Sequence, residues 1–106
     1  MTDVLKRLDE IIAARKADGD AAASHTAALL AKGPLKCAEK FGEEAVEAVI
    51  AAAAQDDEAL IGECADVIYH MAVMLAARDA SLAEVLAKLE AREGVSGVAE
   101  KAARGG

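Results

Sequence analysis

The sequence predicts an all-α protein, an antiparallel bundle of four to five helices. Apolar residues recur at spacings of three and four along most of the chain, which is typical of helices with one buried face. Helix-ending residues, Gly19 and the Gly33-Pro34 pair, separate these periodic stretches. Hydrophobic residues make up 55% of the 106-residue chain, but only 2% are aromatic. Because small side chains bury little area each, we expect homodimerisation to complete the core.

The first part of the chain predicts one long helix and one short one. Val4, Leu5, Leu8, Ile11 and Ile12 give the periodic face of a helix over about residues 2–17, ended by Asp18-Gly19-Asp20. Residues 24–33 then predict a short helical piece capped by Ser24 or Thr26.

Three further helices follow. Pro34 suits the first turn of a helix over about residues 34–54. The tight turn 55–58 precedes a third long helix that ends near Arg78, and so short a turn makes these two helices antiparallel neighbours. Ser81 and Glu84 form a capping box that opens a final helix. Residues 1–93 are predicted to form one domain, and residues 94–106 a flexible tail.

Composition excludes several classes of function. The formal net charge of -7 argues against a broad nucleic-acid-binding surface. Charges or His70 interrupt each apolar run, so no membrane span is expected, and the N-terminus lacks the layout of a signal peptide. Cys37 and Cys64 have apolar neighbours on predicted helices, which indicates buried, reduced thiols in a cytoplasmic protein.

Two acidic groups stand out within the apolar helices. Glu43, Glu44 and Glu47 share a face of one helix, and Glu63 and Asp66 share a face of the next. Carboxylates beside apolar surface repel one another unless a cation neutralises them. If the two faces meet, they form an oxygen-rich cage suited to a hard divalent ion such as Mg²⁺. The alternative is that these acids form a solvated helix surface.

Basic side chains precede the acids on the same helix. Lys36 and Lys40 either form surface ion pairs, such as Lys40 with Glu43 or Glu44, or bind phosphate oxygens, and their order does not separate these interpretations. His70 lies four residues after Asp66, and a histidine at the edge of the core is favoured over a metal ligand. His25 is placed in a loop and has no assigned role.

With these residues identified, the chain resembles the MazG-type all-α nucleotide pyrophosphohydrolases. Their Glu-x-x-Glu and Glu-x-x-Asp pattern is matched at Glu44, Glu47, Glu63 and Asp66, and Glu43 supplies the doubled acid. Within that superfamily the chain resembles the phosphoribosyl-ATP pyrophosphohydrolase family over roughly residues 3 to 93. The segments that carry this resemblance are Ser24-x-Thr26-x-x-Leu29-x-x-Lys32-Gly33, Asp66-Val67-Ile68-Tyr69-His70 and Val85-Leu86-Ala87-Lys88-Leu89.

The resemblance implies Mg²⁺-assisted hydrolysis of phosphoribosyl-ATP to phosphoribosyl-AMP and pyrophosphate, in histidine biosynthesis, by a homodimer with its cleft near the subunit interface. The implied metal ligands are Glu44, Glu47, Glu63 and Asp66, the implied catalytic residues Glu43, Glu44 and Glu47, and the implied substrate contacts Ser24, Thr26, Lys32, Lys36 and Lys40. Two alternatives remain at this point: a house-cleaning nucleoside triphosphate pyrophosphohydrolase, and a non-catalytic helical dimerisation module.

Overall fold

Five helices form the fold of residues 2–94, the part of the chain that the computed structural model describes. They are α1 (Thr2–Asp18), α2 (His25–Ala31), α3 (Pro34–Ala54), α4 (Asp57–Ala77) and α5 (Leu82–Ala91). Residues 2–94 contain no strand, which confirms the predicted all-α class. The predicted tail lies outside the described residues, apart from Gly94.

The two long helices form an antiparallel hairpin. Each has 21 residues, and only Gln55 and Asp56 separate them. Gly33, at φ 92°, turns the chain into α3, and Pro34 occupies its first turn, where the missing N–H has no intrahelical partner to lose. Asp56 caps α4 by accepting a hydrogen bond from the Ala59 amide at 2.9 Å. The hairpin predicted from the short turn is therefore confirmed.

The hydrophobic core lies where α1, α2 and α5 pack against the C-terminal half of α4 and the start of α3. Its fully buried members are small or medium-sized side chains: Ile12, Leu29, Cys37, Ala72, Val73 and Leu82. Tyr69, Met71 and Met74 pack around them. Because aromatic residues are nearly absent, the core consists of small side chains on closely packed helices.

Polar contacts between distant residues fix α1 against the other end of the chain. The carboxylate of Asp9 accepts hydrogen bonds from the Leu82 and Ala83 amides at 2.9 and 3.1 Å, at the start of α5. Lys16 Nζ donates to the Ala76 carbonyl at 2.6 Å and forms an ion pair with Asp79 at 2.7 Å. These contacts orient α1 relative to α4 and α5.

Several large apolar side chains of the hairpin remain exposed in the single chain. Leu35 is 83% exposed, Val49 67% and Ile61 69%, with Val46, Ile50 and Ile68 also at the surface. Cys64 is exposed on α4, so the prediction that both cysteines are buried is wrong for Cys64 in the single chain, although Cys37 is fully buried. The name apolar hairpin face is used below for the surface formed by these exposed residues of α3 and α4: Leu35, Val46, Val49, Ile50, Ile61 and Ile68.

One described helix, α4, is long and apolar enough to cross a membrane by length and composition alone. The expectation of no membrane span rests on the charges and His70 that interrupt the apolar sequence of this helix. Core helices of soluble proteins pass the same test, and α4 packs against α1, α2, α3 and α5 in this fold. It also carries Glu63, Asp66 and the buried His70 within its length.

Candidate metal and substrate site

Carboxylates from the two helices of the hairpin converge. One carboxylate oxygen from each of Glu44, Glu63 and Asp66 lies within 4.8 Å of the other two. The chain reverses direction at residues 55–56, so Glu44 on α3 comes level with Glu63 and Asp66 on α4. The condition stated for an oxygen-rich cage, that the two acidic faces meet, is therefore met by Glu44, Glu63 and Asp66.

Glu47 adjoins this trio, and the four residues Glu44, Glu47, Glu63 and Asp66 are called the acidic cluster below. A side-chain hydrogen bond with Glu47 is the main cause that raises the pKa of Glu44, followed by burial and by repulsion from the other three carboxylates. Burial is the main cause that raises the pKa of Glu63, followed by repulsion from Glu47 and Asp66. The four carboxylates therefore repel one another, and a bound cation would relieve this repulsion.

The donor set fits a hard divalent cation. The Oε2 atom of Glu63 is buried and has no hydrogen-bond partner among residues 2–94. A buried carboxylate oxygen without a partner is unfavourable, and a metal ion would satisfy it. All donors in the acidic cluster are carboxylate oxygens, the ligand type preferred by Mg²⁺ and Ca²⁺ rather than by softer metals.

The remaining acid of the predicted site, Glu43, has a different environment. Its carboxylate forms an ion pair with Lys40 at 3.5 Å, one turn earlier on α3. Lys36 pairs in the same manner with Glu39 at 3.3 Å. Of the two interpretations of these lysines, the structure shows the surface ion pairs. Both lysines remain on the helix that carries Glu44 and Glu47.

The segment predicted to bind substrate forms α2. Ser24 caps this helix by accepting a hydrogen bond from the Ala27 amide at 3.2 Å. Thr26 shares a short hydrogen bond with the hydroxyl of Tyr69 on α4, and Lys32 is exposed at the C-terminal end of α2. The hydroxyls of Ser24 and Thr26 therefore have intramolecular partners, and α2 is fixed to the helix that carries Glu63 and Asp66.

Tyr69 and His70 were not assigned to the site from sequence. His70 is 7% exposed, and its Nε2 lies 3.8 Å from Oε1 of Glu44. Burial is the main cause that lowers the pKa of His70, followed by the nearby positive charges of Lys40 and His25. His25 is the first residue of α2 rather than part of a loop. The sequence could have placed His70 near the site, because Asp66 follows Glu63 by three residues and His70 follows Asp66 by four, which puts all three on one helix face.

The fold and site together define an all-α bundle protein whose two longest helices form a site made entirely of carboxylates. The family model of phosphoribosyl-ATP pyrophosphohydrolase matches residues 5–93. The chain therefore belongs to the phosphoribosyl-ATP pyrophosphohydrolase family, which confirms the resemblance seen in the sequence.

Curated relatives carry closely corresponding names. A phosphoribosyl-ATP pyrophosphatase of Dinoroseobacter shibae is 67% identical over 102 residues, which cover 95% of this chain and 98% of the relative. One of Cereibacter sphaeroides is 66% identical, with coverage of 96% and 98%. One of Paracoccus denitrificans is 61% identical, with coverage of 94% and 92%. Each similarity extends over nearly the full length of both proteins.

Proposed function

We propose that this protein is an enzyme that hydrolyses phosphoribosyl-ATP to phosphoribosyl-AMP and pyrophosphate, as a step of histidine biosynthesis. The family match over residues 5–93 carries this conclusion, because it includes both helices of the acidic cluster and the α2 segment. The convergence of carboxylates from α3 and α4 supports it, since hydrolysis of a polyphosphate needs a centre that offsets negative charge.

We further propose that Glu44, Glu47, Glu63 and Asp66 hold Mg²⁺. Bound Mg²⁺ would supply positive charge against the phosphate oxygens and so stabilise the transition state. The buried, unpartnered oxygen of Glu63 and the mutual repulsion within the acidic cluster support this assignment.

Proton transfer from the attacking water is assigned to the glutamates of α3. Glu44 and Glu47 interact through a hydrogen bond that raises the pKa of Glu44, so this pair accepts a proton more readily than an isolated glutamate does. Glu43, paired with Lys40, is positioned beside them on α3 and adjusts the charge at the edge of the site.

Substrate recognition is assigned to α2 and the first half of α3. Ser24, Thr26, Lys32, Lys36 and Lys40 are the proposed contacts. In this proposal the lysines exchange their ion pairs with Glu39 and Glu43 for phosphate oxygens when substrate binds. Both pairs are single contacts at partly exposed side chains, so little free energy opposes the exchange.

The proposed active form is a cytoplasmic homodimer. The apolar hairpin face supports this proposal, because large contiguous apolar surfaces are unfavourable in a monomer exposed to water. Since Glu44 and Glu47 lie on the same helix as Val46 and Val49, the partner subunit would approach the acidic cluster and help to enclose substrate. No nucleic acid or membrane takes part in this proposal.

Release of pyrophosphate from phosphoribosyl-ATP tests the proposed reaction directly. We expect turnover that depends on added Mg²⁺, and a loss of several orders of magnitude in Glu47→Gln and Asp66→Asn, which keep the side-chain shape but remove the charge. Glu90→Gln, at an exposed position of α5, is the matched control and should keep full activity. Normal turnover by Glu47→Gln at limiting Mg²⁺ would show that the metal assignment is wrong.

Substrate competition tests the specificity. We expect a preference for phosphoribosyl-ATP over ATP, dCTP and dUTP of at least ~100-fold in kcat/KM, the scale that loss of buried polar contacts supplies. Lys32→Met should weaken use of phosphoribosyl-ATP while leaving metal binding unchanged. Equal hydrolysis of dCTP or dUTP would instead assign the protein to the house-cleaning pyrophosphohydrolases.

A further inference from the structure

His70 is the buried polar side chain of the described core, and nothing in the proposed reaction yet explains it. Its Nε2 lies 3.8 Å from Oε1 of Glu44. Its Nδ1 is buried and has no hydrogen-bond partner within residues 2–94. A residue needed only to fill space at this position would be apolar, because a buried ring nitrogen without a partner destabilises the folded state.

The His70 ring can donate a hydrogen bond to Glu44 when the ring proton is on Nε2. Neutral histidine has one nitrogen that donates and one that accepts. With the proton on Nε2, the nitrogen nearest the Glu44 carboxylate is the donor, and Nδ1 is the nitrogen that accepts. A separation of 3.8 Å is longer than a hydrogen bond, but contacts in ligand-free sites are often long and shorten when the ligand binds.

Glu44 needs such a partner more than the other acids do. It is the residue that α3 contributes to the trio of converging oxygens, while Glu63 and Asp66 both come from α4. Its side chain is only 16% exposed, and three other carboxylates repel it. Without an attracting group on α4, this repulsion would turn the carboxylate away from the trio.

We propose that His70 is a positioning residue that holds the Glu44 carboxylate toward Glu63 and Asp66, so that the acidic cluster is arranged for metal before the metal binds. This inference rests on the metal site in the proposed function. It assigns no metal–ligand role to His70. Polar groups that orient metal ligands raise metal affinity by fixing the ligand geometry.

The neighbouring residue explains how the His70 ring itself is held. The Tyr69 ring packs edge-on against it, with centroids 4.9 Å apart and an interplanar angle of 80°. The Tyr69 hydroxyl in turn shares a hydrogen bond with the Thr26 hydroxyl on α2. Contacts from Thr26 through Tyr69 and His70 to Glu44 therefore join the proposed substrate segment to the acidic cluster.

Mn²⁺ binding to the full-length protein, followed by electron paramagnetic resonance of the free ion, tests the inference without relying on turnover. His70→Gln places an amide near the position of Nε2, whereas the amide of His70→Asn reaches only as far as Nδ1. We expect His70→Asn and His70→Leu to bind Mn²⁺ at least ~10-fold more weakly than the wild type. His70→Gln should recover most of the affinity. Val73→Ala, in the same helix and fully buried, is the control for lost packing and should bind normally.

Four outcomes would contradict the inference or its basis. Unchanged affinity in His70→Asn and His70→Leu would overturn it. Equal losses in the Gln, Asn and Leu variants would also overturn it, because the site would then require the imidazole itself rather than a donor at Nε2. Failure of the wild type to bind Mn²⁺, or normal binding by Glu44→Gln, would instead overturn the metal site on which the inference rests.

Discussion

At the scale of single residues, the carboxylates of the acidic cluster repel one another, which disfavours their charged forms. Glu44 and Glu63 both have raised pKa values, the first chiefly through its hydrogen bond with Glu47 and the second chiefly through burial. A carboxyl group with a raised pKa binds a proton more tightly in the folded state than in the unfolded chain. Protons and metal ions therefore compete to stabilise the same group of oxygens.

This competition predicts how the stability of the metal-free protein depends on pH. Since the folded state binds more protons at Glu44 and Glu63, the free energy of unfolding should fall as pH rises from the ordinary glutamate value of 4.5 through the raised folded pKa values. Melting temperatures measured with a chelator over a pH series above 4.5 should show this contribution as a difference between the wild type and Glu44→Gln. His70, whose pKa burial lowers, acts in the opposite direction below its ordinary value of 6.5, and Asp79, whose pKa Lys16 lowers, does so only below 3.8.

Two comparisons check the origin of the decline. Glu44→Gln removes one of the repelling charges and should flatten the dependence, and saturating Mg²⁺ should flatten it in the wild type. A pH dependence that neither Glu44→Gln nor saturating Mg²⁺ changes would contradict the electrostatic explanation.

The Thr26–Tyr69 hydrogen bond gives a second prediction at this scale. Thr26→Val and Tyr69→Phe each remove one hydroxyl and leave the other without its partner, so each should lower the free energy of unfolding by ~1 kcal/mol. The double variant should be little worse than either single variant, because no unpaired hydroxyl remains. Urea denaturation of the four proteins measures this coupling. Fully additive losses would show that the two hydroxyls act independently.

At the scale of helices, α5 is held at its start by both local and distant residues. The Ser81 hydroxyl accepts a hydrogen bond from the Glu84 amide at 3.3 Å, and the Glu84 carboxylate accepts one from the Ser81 amide at 2.8 Å. Asp9 supplies acceptors for the two amides between them. The N-terminal amides of this 10-residue helix are thus satisfied by two carboxylates and a hydroxyl.

Asp9 should consequently stabilise the fold by docking α5 onto α1. We expect Asp9→Ala to lower the free energy of unfolding by about 1–2 kcal/mol, the range for loss of a charged helix cap. Asp9→Asn keeps one oxygen acceptor and should lose less. Glu10→Ala, at the next and exposed position, is the control and should change little. Equal stability of Asp9→Ala and Glu10→Ala in thermal unfolding would rule out the capping role.

The features that the sequence predicted correctly are those that depend on residues close together along the chain. The five helices, the Ser81–Glu84 box and the facing of Glu44 with Glu63 all follow from spacings within one helix or across one short turn. The sequence did not predict the contacts Asp9–Leu82 or Thr26–Tyr69, whose partners are 73 and 43 residues apart. Periodicity indicates that a face is buried but does not identify the residue it meets.

The same limit explains the incorrect prediction for Cys64. Apolar neighbours such as Ile61 and Ile68 indicate a buried environment for this part of α4. In the single chain, however, α1, α2 and α5 cover only one end of the hairpin, and Ile61 remains 69% exposed. Apolar composition does not show whether the covering surface comes from the same chain or from another one.

At the scale of the whole molecule, the apolar hairpin face determines the proposed assembly. We expect the wild type to sediment as a dimer at micromolar concentration, with Val49 and Ile61 of this face in the shared helical core. Val49→Lys and Ile61→Lys should produce monomers with lower melting temperatures, because each places a charge in that core.

Leu89→Lys is the matched control for the loss of an exposed apolar residue. Leu89 is 54% exposed on α5, outside the apolar hairpin face, and its replacement should leave the dimer intact. A stable, active monomer of the wild type in sedimentation velocity experiments would refute the dimer and the shared cleft together.

The two cysteines give the molecule a built-in chemical record of its folding. Cys37 is fully buried, donates its thiol hydrogen to the Leu29 carbonyl, and has a pKa raised by burial, so electrophiles reach it only when the core opens. Cys64 is exposed on the single folded chain, so folded monomers present it to electrophiles first. A brief pulse of maleimide followed by mass spectrometry would thus add one label to folded monomers and two to unfolded chains. The relative intensities of the two mass peaks would measure the unfolded fraction, with no engineered residue.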